Sequence, residues 1–189
     1  RILVCSEKAF YFTDSEGAAW TKASGLESLQ NWGGARKAVV LNDAQRTIYV
    51  LLQEWNYTGW YPQTVLYRST DLGASFASVA VFPEPTYGTP GKFDLWADSA
   101  AGSLAYLAEN ANVHSVSGTA LTKVGTAPVT TAGDVRLTGL LKGSLTLYLL
   151  VAHDGRSDIY GSSNGGASWA FKGTVPETPP PGGTCGCGT

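Results

Sequence analysis

Three segments of this chain follow one pattern: YFTDSEGAAW (residues 11–20), YRSTDLGASF (67–76) and YGSSNGGASW (160–169). Each has a tyrosine, a hydroxyl residue two positions later (Thr13, Ser69, Ser162), a glycine four residues after that (Gly17, Gly73, Gly166) and an aromatic residue three further on (Trp20, Phe76, Trp169). The hydroxyl positions are 56 and 93 residues apart. The larger gap is twice a period of about 46, which is the length of a propeller blade and places a further unit near residue 115. There the chain reads NVHSVSGTALTKVG, with Ser115 and Gly118 but without the acid or the aromatic residue, and is expected to be a degenerate copy.

Between these segments, short stretches rich in Val, Leu, Tyr and Phe are bounded by Gly, Asn, Asp, Ser or Pro, the pattern of many short strands. The second unit reads KAVVLND, RTIYVLLQEW, TVLYRST, FASVAVF; the third KFDLWAD, SLAYLAE, NVHSV, ALTKVG; the fourth VRLTGLL, SLTLYLLVAH, DIYGSS, WAFKGTV. The first has only ILVCS, AFYFT and WTKAS, so one strand is expected to be missing there. GLESLQNW (25–32) is the best candidate for a helical turn. The expected fold is all-β and propeller-like, with about four blades of antiparallel strands over residues 1–175 and the first blade incomplete. A Pro/Gly-rich linker or tail follows over 176–189. An unclosed propeller exposes strand edges, so further blades or other chains are expected to cover them.

The repeated turn has its own chemistry. A short polar side chain at Asp71 or Asn164 can accept hydrogen bonds from nearby backbone amides. Glycine supplies conformations that other residues resist. The aromatic residue is expected to fold beneath the turn and become buried. The pattern Ser-x-Asp-x-Gly-x-Ser/Thr-Trp/Phe resembles the Asp-box, or bacterial neuraminidase repeat, of sialidases, xyloglucanases, sortilin-like receptors and some phage tail proteins. Ser69, Asp71, Gly73, Ser75 and Phe76 match it throughout; Ser162, Gly166, Ser168 and Trp169 match it with Asn164 for Asp; Thr13, Gly17 and Trp20 match it with Ser15 for Asp. The resemblance implies a β-propeller in which the boxes are structural and lie away from any catalytic face.

The formal net charge of −2 gives no basic excess, so no nucleic-acid partner is expected. No apolar run approaches the roughly 20 residues of a membrane helix, so no membrane insertion is expected. The two histidines, His114 and His153, lack metal-ligand spacing, and no cofactor or metal is expected. Cys5, Cys185 and Cys187 form no redox or zinc motif. The resemblance to sialidases would imply three convergent arginines and an Arg-Ile-Pro motif; that motif is absent among the six arginines. Another kind of glycosidase needs two carboxylates across a groove. The candidates Glu54, Asp94, Asp98, Glu109, Asp134, Asp154 and Asp158 sit in no diagnostic motif.

The most suggestive stretch is EWNYTGWYPQ (54–63), which gathers Glu54, Trp55, Tyr57, Trp60 and Tyr61 and contains a glycosylation-type triplet at Asn56. Aromatic faces beside polar groups suit stacking on sugars or gripping a protein. The sequence therefore points to a non-catalytic binding or structural module, extracellular, on a cell surface or on a virion, that recognises a glycan or protein surface. The alternative is a fragment of a glycoside hydrolase of the sialidase or xyloglucanase type.

Overall fold

The computed structural model describes residues 1–5, 9–26, 34–84, 92–98, 104–129 and 133–176. Most of the expected helical turn and the tail with Cys185 and Cys187 lie outside these residues. The described residues form four antiparallel sheets, each a meander in chain order. The first holds β1 (Ile2–Cys5), β2 (Phe10–Thr13) and β3 (Thr21–Lys22). The second holds β4 (Gly34–Val40), β5 (Ile48–Asn56), β6 (Tyr61–Ser69) and β7 (Ala77–Pro83). The third holds β8 (Phe93–Ala97), β9 (Ala105–Glu109), β10 (Asn112–Ser117) and β11 (Ala120–Thr126). The fourth holds β12 (Asp134–Lys142), β13 (Ser144–His153), β14 (Arg156–Ser162) and β15 (Ala170–Pro176). The fold is thus all-β and propeller-like, and the first sheet has three strands, as its sequence predicts.

The sheets pack face to face in chain order because their middle strands are apolar on both sides. In β5, Ile48, Val50 and Leu52 join Val65, Tyr67 and Phe76 against Phe10, Ala23 and Leu26 of the first sheet. The intervening Tyr49 and Leu51, with Leu66, turn to Phe93, Leu95 and Leu107 of the third. A strand covered on both faces loses polar alternation, which is why this one reads as an unbroken apolar run. Tyr106, Ala108 and Val113 of the third sheet meet Leu147, Leu149, Val151 and Tyr160 of the fourth. In β13 the residues between these, Thr146, Tyr148, Leu150 and Ala152, are only half-buried. Among the described residues, the fourth sheet is covered on one face. Arg68 of β6 is half-buried.

The repeated turns join the last two strands of a sheet. In the second sheet, Ser69 Oγ accepts the amide of Gly73 at 2.9 Å and donates to Asp71 Oδ1 at 2.7 Å. The Asp71 carboxylate accepts the Ser75 amide at 2.9 Å and the Ser75 hydroxyl at 2.5 Å. In the fourth sheet, Ser162 accepts from Gly166 and Asn164 accepts from Ser168, at 2.9 and 3.0 Å. In the first, Thr13 accepts from Gly17 at 3.1 Å, and Ser15, standing where the acid belongs, accepts the Ala19 amide at 2.9 Å. The backbone is left-handed at Glu16 (φ 53°), Leu72 (φ 60°) and Gly165 (φ 68°), immediately before the glycine of each repeated turn. Only in the fourth sheet is this extra position a glycine.

Two expectations need correction. Near residue 115 the blade repeats but the box does not: Val116, not Ser115, takes the register place of Ser69 and Ser162, and residues 118–119 alone make the turn. Trp20 is not buried. It leaves 46% of its surface exposed, against 6% for Phe76. Phe76 and Trp169 pack against the preceding sheet, and no described sheet precedes Trp20.

The acid-bearing box has a pH signature. Burial raises the Asp71 pKa, but the hydrogen bonds from Ser75 and Ser69 outweigh it and hold the carboxyl below the ordinary carboxylate range. A folded pKa below the unfolded one means the folded chain binds fewer protons. The stabilisation is therefore full above about pH 4 and is lost as pH falls through the folded value. Asp71 is exposed, so the effect is below about 1 kcal/mol. Asn164 fills the same place without titrating. Asp71→Asn is expected to keep the fold and flatten the acid limb of stability, read as urea midpoints between about pH 6 and about pH 3. Parallel acid limbs for both proteins would refute this.

Candidate functional site

In each four-stranded meander the connection from the second strand to the third lies at the end opposite the turn from the third strand to the fourth. Residues 57–60, 110–111 and 154–155 make these connections in the second, third and fourth sheets. The second sheet carries the longest. β5 and β6 pair without interruption to Asn56 opposite Tyr61, so the loop stands on a full-length ladder.

The loop is rooted by polar side chains. Asn56 Oδ1 accepts the amides of Thr58 and Gly59 at 3.0 and 2.9 Å, and its Nδ2 donates to Tyr61 Oη and Gln63 Oε1, both at 3.2 Å. Gln63 Nε2 donates to Glu54 Oε1 at 3.1 Å, and the Tyr67 hydroxyl lies 3.3 Å from both Glu54 oxygens. The Tyr61 ring covers Gly59 so closely that a β-carbon there would collide with it. At the end of the turn stands Trp60, in the left-handed region at φ 56° and 73% exposed.

The five aromatic-loop candidates therefore separate. Tyr57, 49% exposed, and Trp60 face solvent; Trp55 and Tyr61 are half-buried; Glu54 is 4% exposed and lies in the interior. Glu54 sits opposite Gln63, on the same side of β5 as Ile48, Val50 and Leu52, and holds the base of the loop from the interior. From the sequence Asn56 stood out only as a glycosylation-type triplet and Tyr67 only as a repeat position, and Gln63 carried no role of its own. Their signal was the run of polar residues at the ends of two otherwise apolar strands, readable only once the register is known. The Asn56 amide is fully engaged within the loop, so the glycosylation-type triplet does not present a free acceptor in the folded chain.

Asp98 is buried just after β8, and Asp154 is exposed, 3.5 Å from His153 Nδ1. The other four candidate acids are held by partners. Asp94, 4% exposed, accepts the Leu95 amide at 2.9 Å and the Leu137 amide at 2.7 Å, and pairs with Lys37 at 3.0 Å. It therefore joins β4, β8 and β12. Asp134 pairs with Lys92 at 2.6 Å, which holds its carboxyl below the usual range. Asp158 accepts from the Thr174 hydroxyl at 2.6 Å and lies 3.0 Å from His153 Nε2; those two bonds likewise lower its pKa. Glu109 lies 3.3 Å from His114. A general acid must stay protonated near neutral pH, and carboxyls held low cannot serve as one. Among the described residues, no group of three His, Cys, Asp or Glu side chains could hold a metal ion, and no helix is long and apolar enough to cross a membrane.

No protein-family model matches the chain, and no curated protein matches it. Among solved structures, it is similar to the GH74 xyloglucanase from Xanthomonas campestris, with a TM-score of 0.57 and 23% sequence identity. The match covers 90% of this chain and 23% of the xyloglucanase chain. At that identity the likeness speaks to the fold, and this chain spans less than a quarter of its neighbour's length.

Proposed function

We propose that this chain is the glycan-binding part of a glycoside hydrolase-type propeller, acting outside the cell, with Trp60 and Tyr57 as its sugar platform. The observation that carries this reading is Trp60. A bulky residue in the left-handed region costs about 1–2 kcal/mol. Its ring gains little in return, since most of it remains in water. A strained, exposed aromatic residue on a rigidly rooted loop is accounted for by a ligand face. The fold likeness to a xyloglucanase makes a β-linked polysaccharide the first ligand to test.

Trp60→Gly separates binding from stability. Relief of the left-handed strain is offset by about 1 kcal/mol of added chain entropy, so the melting temperature is expected to be unchanged or slightly raised. Affinity for xyloglucan oligosaccharides, measured by calorimetry, is expected to fall at least about tenfold. Parent-like affinity in the variant would sink the reading.

A second reading, a non-catalytic binding module, is favoured by the engaged carboxylates Asp94, Asp134 and Asp158. Release of reducing ends from xyloglucan by the parent chain supports the hydrolase-type reading. Binding without release supports the second.

A further inference from the structure

The three interfaces between sheets repeat one contact. On the strand before the one that carries the box hydroxyl position, the residue that follows that position's partner is Leu3, Tyr49, Tyr106 and Tyr148 in the four sheets. Leu3 packs on the turn of the second sheet, where a β-carbon on Gly73 would lie 2.9 Å from Leu3 Cδ1. The Tyr49 hydroxyl donates to Gly118 O in the turn of the third sheet at 2.9 Å. The Tyr106 hydroxyl reaches the turn of the fourth sheet, 3.4 Å from where a β-carbon on Gly165 would stand. Each sheet thus inserts this side chain into the third-to-fourth-strand turn of the next.

A second repeated position tells which kind of turn is received. On the fourth strand, just after the bulge, stand Ala80, Gly125 and Gly173. Gly125 abuts the box turn of the fourth sheet, where a β-carbon would strike Gly166 O. Ala80 faces the third sheet, whose turn is the short one at 118–119. Glycine accompanies a box turn, where the two backbones must approach closely.

The fourth sheet carries both halves of the box-receiving set, Tyr148 and Gly173, and nothing described fills it. A β-carbon on Gly173 would meet no atom within 4 Å. Beside Tyr148 lies a groove of about 230 Å³ lined by Thr146, Tyr148, Gly161, Ser163, Ser168 and Trp169. The matching groove of the second sheet is narrower, about 160 Å³, and Thr119 of the third sheet forms part of its wall. The apolar residues around the open socket also match. Tyr148, Leu150 and Ile159 occupy the places of Tyr49, Leu51 and Leu66, which the third sheet covers to 1% exposure or less.

The first sheet carries the complementary surface. Its box turn has Gly17 and Trp20, and the face that should meet a preceding sheet shows Ile2 at 49%, Val4 at 43% and Trp20 at 46% exposure. No described core cluster joins the first sheet to the fourth. Among the described residues, one chain thus holds an open socket and an unused box turn at once.

We propose that the open face of the fourth sheet docks the first sheet of a second copy of this chain, repeating the contact by which each sheet receives the next. The pairing is head-to-tail, with Tyr148 of one copy set against the Gly17 turn of the other. Such an interface closes into a small ring or extends into a longer assembly.

The test is native mass spectrometry with sedimentation equilibrium on the full chain, from the low micromolar range to about 100 µM. Dimers or longer assemblies are expected. Leu150→Lys puts a charge in the socket, and Val4→Lys puts one on the opposing face. Each side chain already touches water, so circular dichroism should stay parent-like while association weakens more than about tenfold. Tyr148→Phe, which keeps the ring, should weaken it less. Mixing the two lysine variants should restore association, because one intact interface remains between the Leu150→Lys copy's first sheet and the Val4→Lys copy's fourth sheet. A monomer throughout the range overturns the proposal and leaves the socket to a further blade of a longer chain. Association indifferent to both lysines, or not restored on mixing, overturns it as well.

Discussion

Replacing Phe76 with alanine is expected to lower the unfolding free energy by about 3–5 kcal/mol, the cost of emptying a closed aromatic site. Phe76 is 6% exposed and its ring centroid lies 5.7 Å from that of Phe10. Its backbone also joins the two sheets: the Phe76 amide donates to Ser24 O at 3.0 Å, and the Ser24 amide donates to Ala74 O at 3.0 Å. The cavity would open between two sheets that backbone bonds hold at fixed separation, so the site cannot easily collapse. Trp20→Ala is the control. It removes the same box position where nearly half the side chain is in water, and at dilutions that keep the chain monomeric it should cost less than half as much. Urea unfolding of the two variants decides the matter: equal losses would mean that the box aromatic residues act through the turn and not through the sheet before it.

Asp94→Ala is expected to cost about 2–4 kcal/mol, because the buried amides of Leu95 and Leu137 lose their acceptor. Lys37, 42% exposed at its side chain, returns to water, so Lys37→Met should cost less than about 1 kcal/mol. The asymmetry follows from where each partner would be stranded. Unchanged stability in Asp94→Ala, read by urea unfolding, would mean that its role as a pin between β4, β8 and β12 is wrong.

The box turns were legible because their chemistry is local. Within seven residues, Ser69, Asp71, Gly73 and Ser75 close their own hydrogen bonds, and a sequence pattern can hold all of that. The spacing of such turns then revealed the third unit even though its turn has shed the box. The loop was less legible. Trp60 and Tyr57 stand out as aromatic residues, but that Glu54 belongs beneath them depends on its pairing with Gln63 across two strands. The left-handed backbone at Trp60 has no letter of its own.

What the amino-acid order alone determined is the blade: four units, their strands and their turns, since each rests on contacts within a few residues or between adjacent strands. What only the tertiary structure decided is which faces are covered. Phe76 and Trp20 hold the same place in the same motif, and Tyr49 and Tyr148 hold the same place in the same strand. One of each pair is buried and the other is open. Burial of a sheet face is a property of the sheet beside it, and no pattern within a blade records whether that neighbour is there.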